Sequence, residues 1–345
     1  MSVLRTIRVA TRGSRLALAQ TEWVVARLRE AHPGLDFQVV TLRTAGDRTQ
    51  RAGIPLSRVG GKGLFTRELE EALLDGRVDL AVHSLKDLPS DLPSGLTLGC
   101  VPPREDPRDA LLSPDGRGLR DLAPGTRVGT SSLRRTAQLR RLRPDLELAP
   151  VRGNVDTRLR KLATGQYGAL VMAAAGLHRL GLRDRISAYL APEECLPAAG
   201  QGALGIEVRD GDEAILALLR PLHDPVTAAA VRAERAFLAR LTEELEGRGP
   251  VPGDPAAGVP GQAPPLSGTC QVPVAAHAAL DGDRLHLHGL VALPDGSRVV
   301  KAAGDGPADA PEQLGRAVAE TVLRTGGRQM LRQAHGLAGE EGESP

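Results

Sequence analysis

The densest group of chemically capable side chains lies in Val82-His83-Ser84-Leu85-Lys86-Asp87-Leu88-Pro89. Residues 78–82 cluster apolar side chains after Gly76, the pattern of a short buried strand. His83, Ser84, Lys86 and Asp87 follow at once, and Pro89 stops any regular element. The Asp87 carboxyl can give or take a proton, and the neighbouring Lys86 can hold its charge. The plain alternative is a solvated loop with an ordinary ion pair. A polar cluster at the C-terminal edge of a strand is, however, where ligands sit in open α/β sheets.

A second group pairs arginine with hydroxyls at helix starts. Arg12-Gly13-Ser14, with Arg15, follows a strand at 7–11 and precedes a helix. Thr130-Ser131-Ser132, with Arg134 and Arg135, follows a strand at 126–129 and precedes a helix at 133–142. Free N–H groups and the macrodipole favour an anion there, and the arginine fork matches carboxylate or phosphate. Taken singly, each hydroxyl reads as an N-cap. Repetition with arginine points to anion recognition. Arg152-Gly153-Asn154 is placed like Arg12, between a strand at 147–151 and a helix carrying Arg158 and Lys161. Arg179 lies on a short helix at 174–180. For Arg158, Lys161 and Arg179 the plain reading is a solvated helix face.

The elements that must position these residues alternate strand and helix. The first helix puts Leu16, Ala19, Trp23 and Ala26 on one face and ends at Pro33-Gly34. A strand at 37–42 and a polar loop at 43–58, with Asp47, follow. Gly60-Gly61-Lys62-Gly63 leads into a helix at 64–75, closed by Gly76. The phosphate-loop spacing is absent, which leaves a glycine-hinged lid or a simple connection. A strand at 96–101 precedes Pro102-Pro103-Arg104-Glu105-Asp106-Pro107, which reads as a hinge. The glycine-rich link at 196–202 and the strand at 203–208 return the chain to the first sheet in a clamshell reading. A long helix at 226–241 opens a different region. Residues 247–265, rich in Gly, Pro and Ala, read as a disordered insertion. Strands at 274–280, 284–293 and 298–303 are joined by Asp281-Gly282 and Pro294-Asp295-Gly296 turns, and a helix at 311–335 closes the fold before an acidic tail at 340–345.

With 345 residues the chain has room for two to three domains. The 44 basic residues against 42 acidic ones leave +2, which argues against bulk binding of nucleic acid. Aromatics at 2% argue against base stacking. Cys100, Cys195 and Cys270 are dispersed, with neither metal-ligand spacing nor a disulfide framework. Residues 1–6 lack a signal-peptide apolar region and no apolar run is long enough to span a bilayer. A soluble cytoplasmic protein is expected.

The motif 82–89, then Gly129-Thr130-Ser131-Ser132-Leu133-Arg134-Arg135, Arg152-Gly153-Asn154-Val155 and Cys270-Gln271-Val272-Pro273, stand in this order. With Arg12-Gly13-Ser14-Arg15-Leu16-Ala17-Leu18 and Gly60-Gly61-Lys62-Gly63-Leu64-Phe65, they resemble the hydroxymethylbilane synthase, or porphobilinogen deaminase, family over nearly the whole chain. Thr269 stands where that family's motif has a second glycine. The resemblance implies an α/β fold of two doubly wound lobes, like the type II periplasmic-binding-protein clamshell. A C-terminal α+β domain with a small antiparallel sheet completes it. The expected divisions are 1–103 with 202–222, then 104–201, then 223–345, with the Gly/Pro-rich insertion at about 242–266.

The resemblance further implies a transferase joining four porphobilinogen molecules head to tail, with loss of ammonia at each step. The growing chain is primed by a dipyrromethane cofactor held through a thioether at Cys270, where a thiolate suits attack on an electrophilic methylene. Asp87 would be the catalytic carboxylate, and Lys86 would position the cofactor's acid side chains. Arg12, Ser14, Ser132, Arg134, Arg135, Arg152, Arg158 and Arg179 would line the cleft for acetates and propionates. Ser84, Thr130, Ser131, Gly153 and Asn154 would join them. Gln20, Asp47, Lys62, Phe65 and Gln201 would lie near the cleft. The partner implied is a small molecule, without nucleic acid, membrane or metal, and the chain would be a monomer. A two-lobed binding protein would explain the arginines but needs neither Asp87 nor Cys270. A phosphate-ester enzyme would lack its metal–carboxylate cluster.

Overall fold

The computed structural model describes residues 6–47, 63–247 and 272–340. Lys62, Cys270, residues 248–266 of the expected insertion and the tail beyond residue 340 lie outside them. In the first sheet, β1 (Thr6–Arg12) pairs in parallel with β2 (Asp36–Leu42) and β3 (Leu80–Ser84). The intervening helices are α1 (Arg15–Ala31) and α2 (Arg67–Leu74), and β4 (Leu96–Cys100) forms one edge. Alternating apolar residues bury both faces. Val24, Val25 and Leu28 of α1 pack on one side, and Leu69, Ala72 and Leu73 of α2 on the other. This two-sided burial explains why the strands read as nearly continuous apolar runs.

The second sheet repeats the plan. Its parallel strands are β6 (Arg127–Gly129), β7 (Glu147–Ala149) and β8 (Ala169–Ala173), with β5 (Asp109–Leu112) and β9 (Ala188–Leu190) antiparallel or at the edge. Helices α3 (Leu133–Leu142), α4 (Val155–Ala163) and α5 (Ala174–Arg179) cover it. Strand β10 (Leu204–Arg209) then returns to the first sheet, antiparallel between β3 and β4. The orders β2-β1-β3-β10-β4 and β7-β6-β8-β5-β9 are therefore the same topology. In each, the fourth strand belongs to the segment that has just crossed between lobes. This is the expected doubly wound clamshell. The crossings touch where Glu105 N–H donates to the Gly202 carbonyl, 3.2 Å away.

After α6 (Glu213–Leu219) comes the C-terminal α+β unit. It comprises α7 (Pro225–Leu245), β11 (Val274–Asp281), β12 (Arg284–Ala292), β13 (Val299–Pro307), α8 (Pro311–Val322) and α9 (Arg328–Glu340). The three strands form an antiparallel sheet. Phe237 and Leu241 of α7, with Leu314 and Val318 of α8, bury its inner face.

Three readings change. Strands β5 and β9 were not expected from sequence, being only four and three residues long. Helix α7 runs on to Leu245, into the stretch expected to begin the insertion. The single closing helix is two, because Gly326 takes a left-handed φ of 112°. Among the described residues no single helix is long and apolar enough to cross a membrane.

Candidate active site

The site begins at the ends of β1 and β3. After Ser84 the chain tightens into one 3-10 turn, Leu85–Asp87. Leu85 is buried by this turn, while Lys86 and Asp87 remain partly exposed. Ser84 is held from below by the buried Gln20 of α1, 2.8 Å between the amide nitrogen and the hydroxyl. Two residues of the expected set thus fix the base of the turn.

Arg12, at the end of β1, gathers three more. Its Nη2 donates to Asp47 Oδ1 at 2.6 Å, and its guanidinium lies 4.2 Å from the Phe65 ring centre. Its Nη1 is 4.0 Å from Asp87 Oδ2. Burial alone would raise the Asp47 carboxyl, but Arg12's hydrogen bond and charge outweigh it and hold Asp47 below the usual carboxylate range. Arg12 Nε is buried without a partner. One arginine therefore faces two carboxylates and an aromatic ring, with a donor to spare.

On the other side Lys86 Nζ reaches Gln201 Oε1 at 3.4 Å. Gln201, buried in the second crossing, donates to Asp109 Oδ1 at 2.9 Å and to the Pro107 carbonyl at 2.7 Å. Asp109 was not singled out in sequence, yet it organises this wall. It is wholly buried and accepts from Arg134 at 2.8 and 3.2 Å, and from Arg135 at 2.9 and 2.7 Å. Burial opposes its charge, but the two guanidiniums prevail and hold the carboxyl far below its ordinary range. Two cations share one anion, so the corner keeps a positive excess. Lys86 registers it. Burial, then Arg135's charge, push its ammonium down to about 8, against the pull of Asp87 and Asp109.

Arg134 and Arg135 are consequently not open forks on a cleft. Arg134 is only 2% exposed and also donates to the Leu196 carbonyl at 2.6 Å. Ser14, Ser132 and Asn154 each serve as the N-cap of their helix, accepting from Ala17, Arg135 and Thr157 N–H. Each cap takes one N–H of a first turn that has others to offer. Ser131 donates to the Val151 carbonyl at 2.6 Å, and the buried Thr130 hydroxyl accepts from Ser132 N–H. Gly153 has φ 111°, and a Cβ there would lie 2.5 Å from Thr157. Arg152 and Arg158 are half-buried beside it, with Arg158 Nε donating to the Gly153 carbonyl at 2.9 Å. Arg179 reaches across to the Gly202 carbonyl at 2.7 Å and is pushed down to about 10 by burial. At the starts of α1 and α4, Arg15 and Asp156 pair between lobes at 2.7 Å.

Two topologically equivalent lobes joined by two crossings, with a cation-rich wall and a carboxylate at a strand end, define a two-lobed α/β protein. The chain belongs to the porphobilinogen deaminase family. Residues 7–217 match the model described as porphobilinogen deaminase, dipyromethane cofactor binding domain, and residues 265–324 match its C-terminal domain. A porphobilinogen deaminase of Syntrophotalea carbinolica is 50% identical over 325 residues, covering 94% of this chain and 95% of the relative. One of Bordetella parapertussis is 50% identical over 331 residues, covering 96% and 97%. The solved periplasmic VFT2 domain of Bordetella pertussis BvgS is a looser likeness. It is 17% identical, with a TM-score of 0.36 over 62% of this chain and 85% of that one.

Proposed function

We propose that this chain is the transferase hydroxymethylbilane synthase. It would join four porphobilinogen molecules head to tail onto a dipyrromethane primer and release the tetrapyrrole by hydrolysis. The observation that carries this reading is that Lys86 and Asp87 are neighbours on one partly exposed turn, with Asp87 4.0 Å from Arg12 and Lys86 lowered first by burial and then by the positive corner behind it. A desolvated ammonium beside surplus guanidinium is short of an anion. The acetate and propionate groups of pyrroles supply one. The donor set therefore fits a polycarboxylate, with Lys86 and Arg12 holding it directly and Arg134 and Arg135 acting through the wall they build with Asp109.

At each coupling a C–N bond breaks as ammonia leaves porphobilinogen, a C–C bond forms, and the attacked pyrrole carbon loses a proton, which ammonia takes up in the balance. Asp87 can pass that proton and stabilise the positive pyrrole nitrogens, because its carboxylate lies near Arg12 without being locked to it. The bound dipyrromethane supplies a pyrrole carbon nucleophile that no side chain offers. We assign its attachment to Cys270. Val272, two residues on, and Val274 line a hollow together with Leu85, Lys86 and Leu88. The same wiring supports dividing the chain at 1–103 with 202–222, 104–201 and 223–345, since β10 pairs with β3 and β4. A cytoplasmic monomer is the accompanying proposal.

Intact mass of the purified protein should exceed the chain mass by a dipyrromethane, and Cys270→Ser should remove the increment. Asp87→Ala should retain the increment or its site yet lose turnover. A wild-type protein of bare chain mass that still consumes porphobilinogen rejects the reading.

A further inference from the structure

Behind the catalytic turn lies a buried group that the reaction as described does not use. His83 is the penultimate residue of β3, and Glu207 lies diagonally across on β10, where Gly205 pairs with His83 and Glu207 with Ala81. Glu70 comes down from α2. Their exposures are 5%, 0% and 6%. His83 Nε2 is 3.1 Å from Glu207 Oε2, yet the pair does not meet hydrogen-bond geometry. Both Glu207 oxygens and Glu70 Oε1 are likewise without a hydrogen-bond partner in the structure. No three acidic, histidine or cysteine side chains among the described residues are placed to hold a metal ion.

A bare ionised carboxylate in such a place is costly, so protons must be retained. Burial, and then the Glu207 charge, push Glu70 upward against the Thr66 hydroxyl and the His83 charge, which favour its ionised form. The other charges acting on the group are Glu71 on α2 and Arg235 on α7. Arg235 also donates to the carbonyls of Pro89 and Ser90, immediately after the turn, at 2.8 and 2.9 Å.

We infer that Glu70, His83 and Glu207 form a proton-sharing clamp that fixes the Leu85–Asp87 turn against α2, making His83 and Glu207 positioning residues for Asp87. This rests on the reading of Asp87 above. Helix α2 follows Phe65, on which Arg12 stacks, so the clamp ties both walls of the site to one strand. Gaining or losing a proton changes which pairs attract, and with them the reach of the turn.

The test is steady-state kinetics across pH on the full chain carrying its cofactor. His83→Gln and Glu207→Gln should each lower kcat roughly tenfold or more, as misplacement of a catalytic group does, with KM little changed. The kcat profile should lose one ionisation. The double variant, whose two amides can pair without charge, should recover part of kcat and show no such ionisation. Should the single variants fail to fold, Glu70→Gln must still remove that ionisation from the profile. Wild-type kcat and pH profile in the variants, or losses that track melting temperature alone, overturn the clamp. Asp87→Ala is run alongside. Near-normal turnover there rejects the catalytic reading, whereas inactive Asp87→Ala with unaltered His83→Gln rejects only the clamp.

Discussion

Asp109→Asn tests whether one buried carboxylate sustains the cationic wall. Oδ1 takes donors from Arg134, Arg135 and Gln201, and Oδ2 takes Arg134 Nη1 and the Cys195 thiol. An amide can keep only one of these as an acceptor. Its nitrogen would turn to the Oδ2 side and face a guanidinium with a donor, leaving two buried cations uncompensated. Removing one partner of a buried ion pair costs about 3–5 kcal/mol. At about 2–4 °C per kcal/mol for units of this size, the melting temperature should fall by roughly 6–20 °C. The pH dependence has a definite sign. Asp109 is depressed in the folded state, so its contribution is full above the unfolded value near 4 and fades as pH falls toward the folded one. Melting curves of wild type and variant should therefore converge only in strong acid. Asp109 also raises Lys86, so the variant's lysine should fall further below 8 and its substrate KM should rise at neutral pH. Differential scanning fluorimetry across pH, with KM measured in parallel, decides it. A loss under about 1 kcal/mol would refute the reasoning, since so small a cost is that of a solvated surface pair.

Two further outcomes follow from the geometry. Porphobilinogen KM should rise as pH passes about 8, where Lys86 loses its charge, and Lys86→Arg should flatten that limb because guanidinium stays protonated; an unchanged limb in the variant would separate Lys86 from substrate carboxylates. Gly202→Ala should cost about 1–3 kcal/mol in denaturant unfolding, because φ there is 89° and the new Cβ would lie 2.2 Å from the Glu105 carbonyl oxygen; an unmoved midpoint would mean the two crossings do not press together.

What the sequence made legible was local. The strand, tight turn and proline of 82–89 lie within a few residues, and the Asp281-Gly282 and Asp295-Gly296 turns carry their own φ > 0 requirement, met at 58° and 75°. Arg12 with Asp47 and Phe65 could be gathered only through the family resemblance. Asp109 was hidden for a physical reason. Its strand is too short to show alternation, and its partners come from α3, Cys195 and Gln201, distant in the chain. The doubled glycine at 326–327 was the available signal for the break between α8 and α9, outweighed by the apolar periodicity around it.

The arginines show where residue type stops being informative. Arg134 and Arg135 are adjacent on a helix, about 100° apart around its axis, so a sequence reading sends them to different faces. Both instead turn to one carboxylate, because each long side chain can bend to Asp109. Their charge was legible and their direction was not. The charge still reaches the site, since Lys86, lowered first by burial, is lowered further by the charge of Arg135. A buried guanidinium already held by aspartate loses nothing further when substrate binds, whereas an open one must give up its water. A wall of committed arginines behind one movable lysine thus offers each incoming carboxylate a fixed positive field at little reorganisation cost.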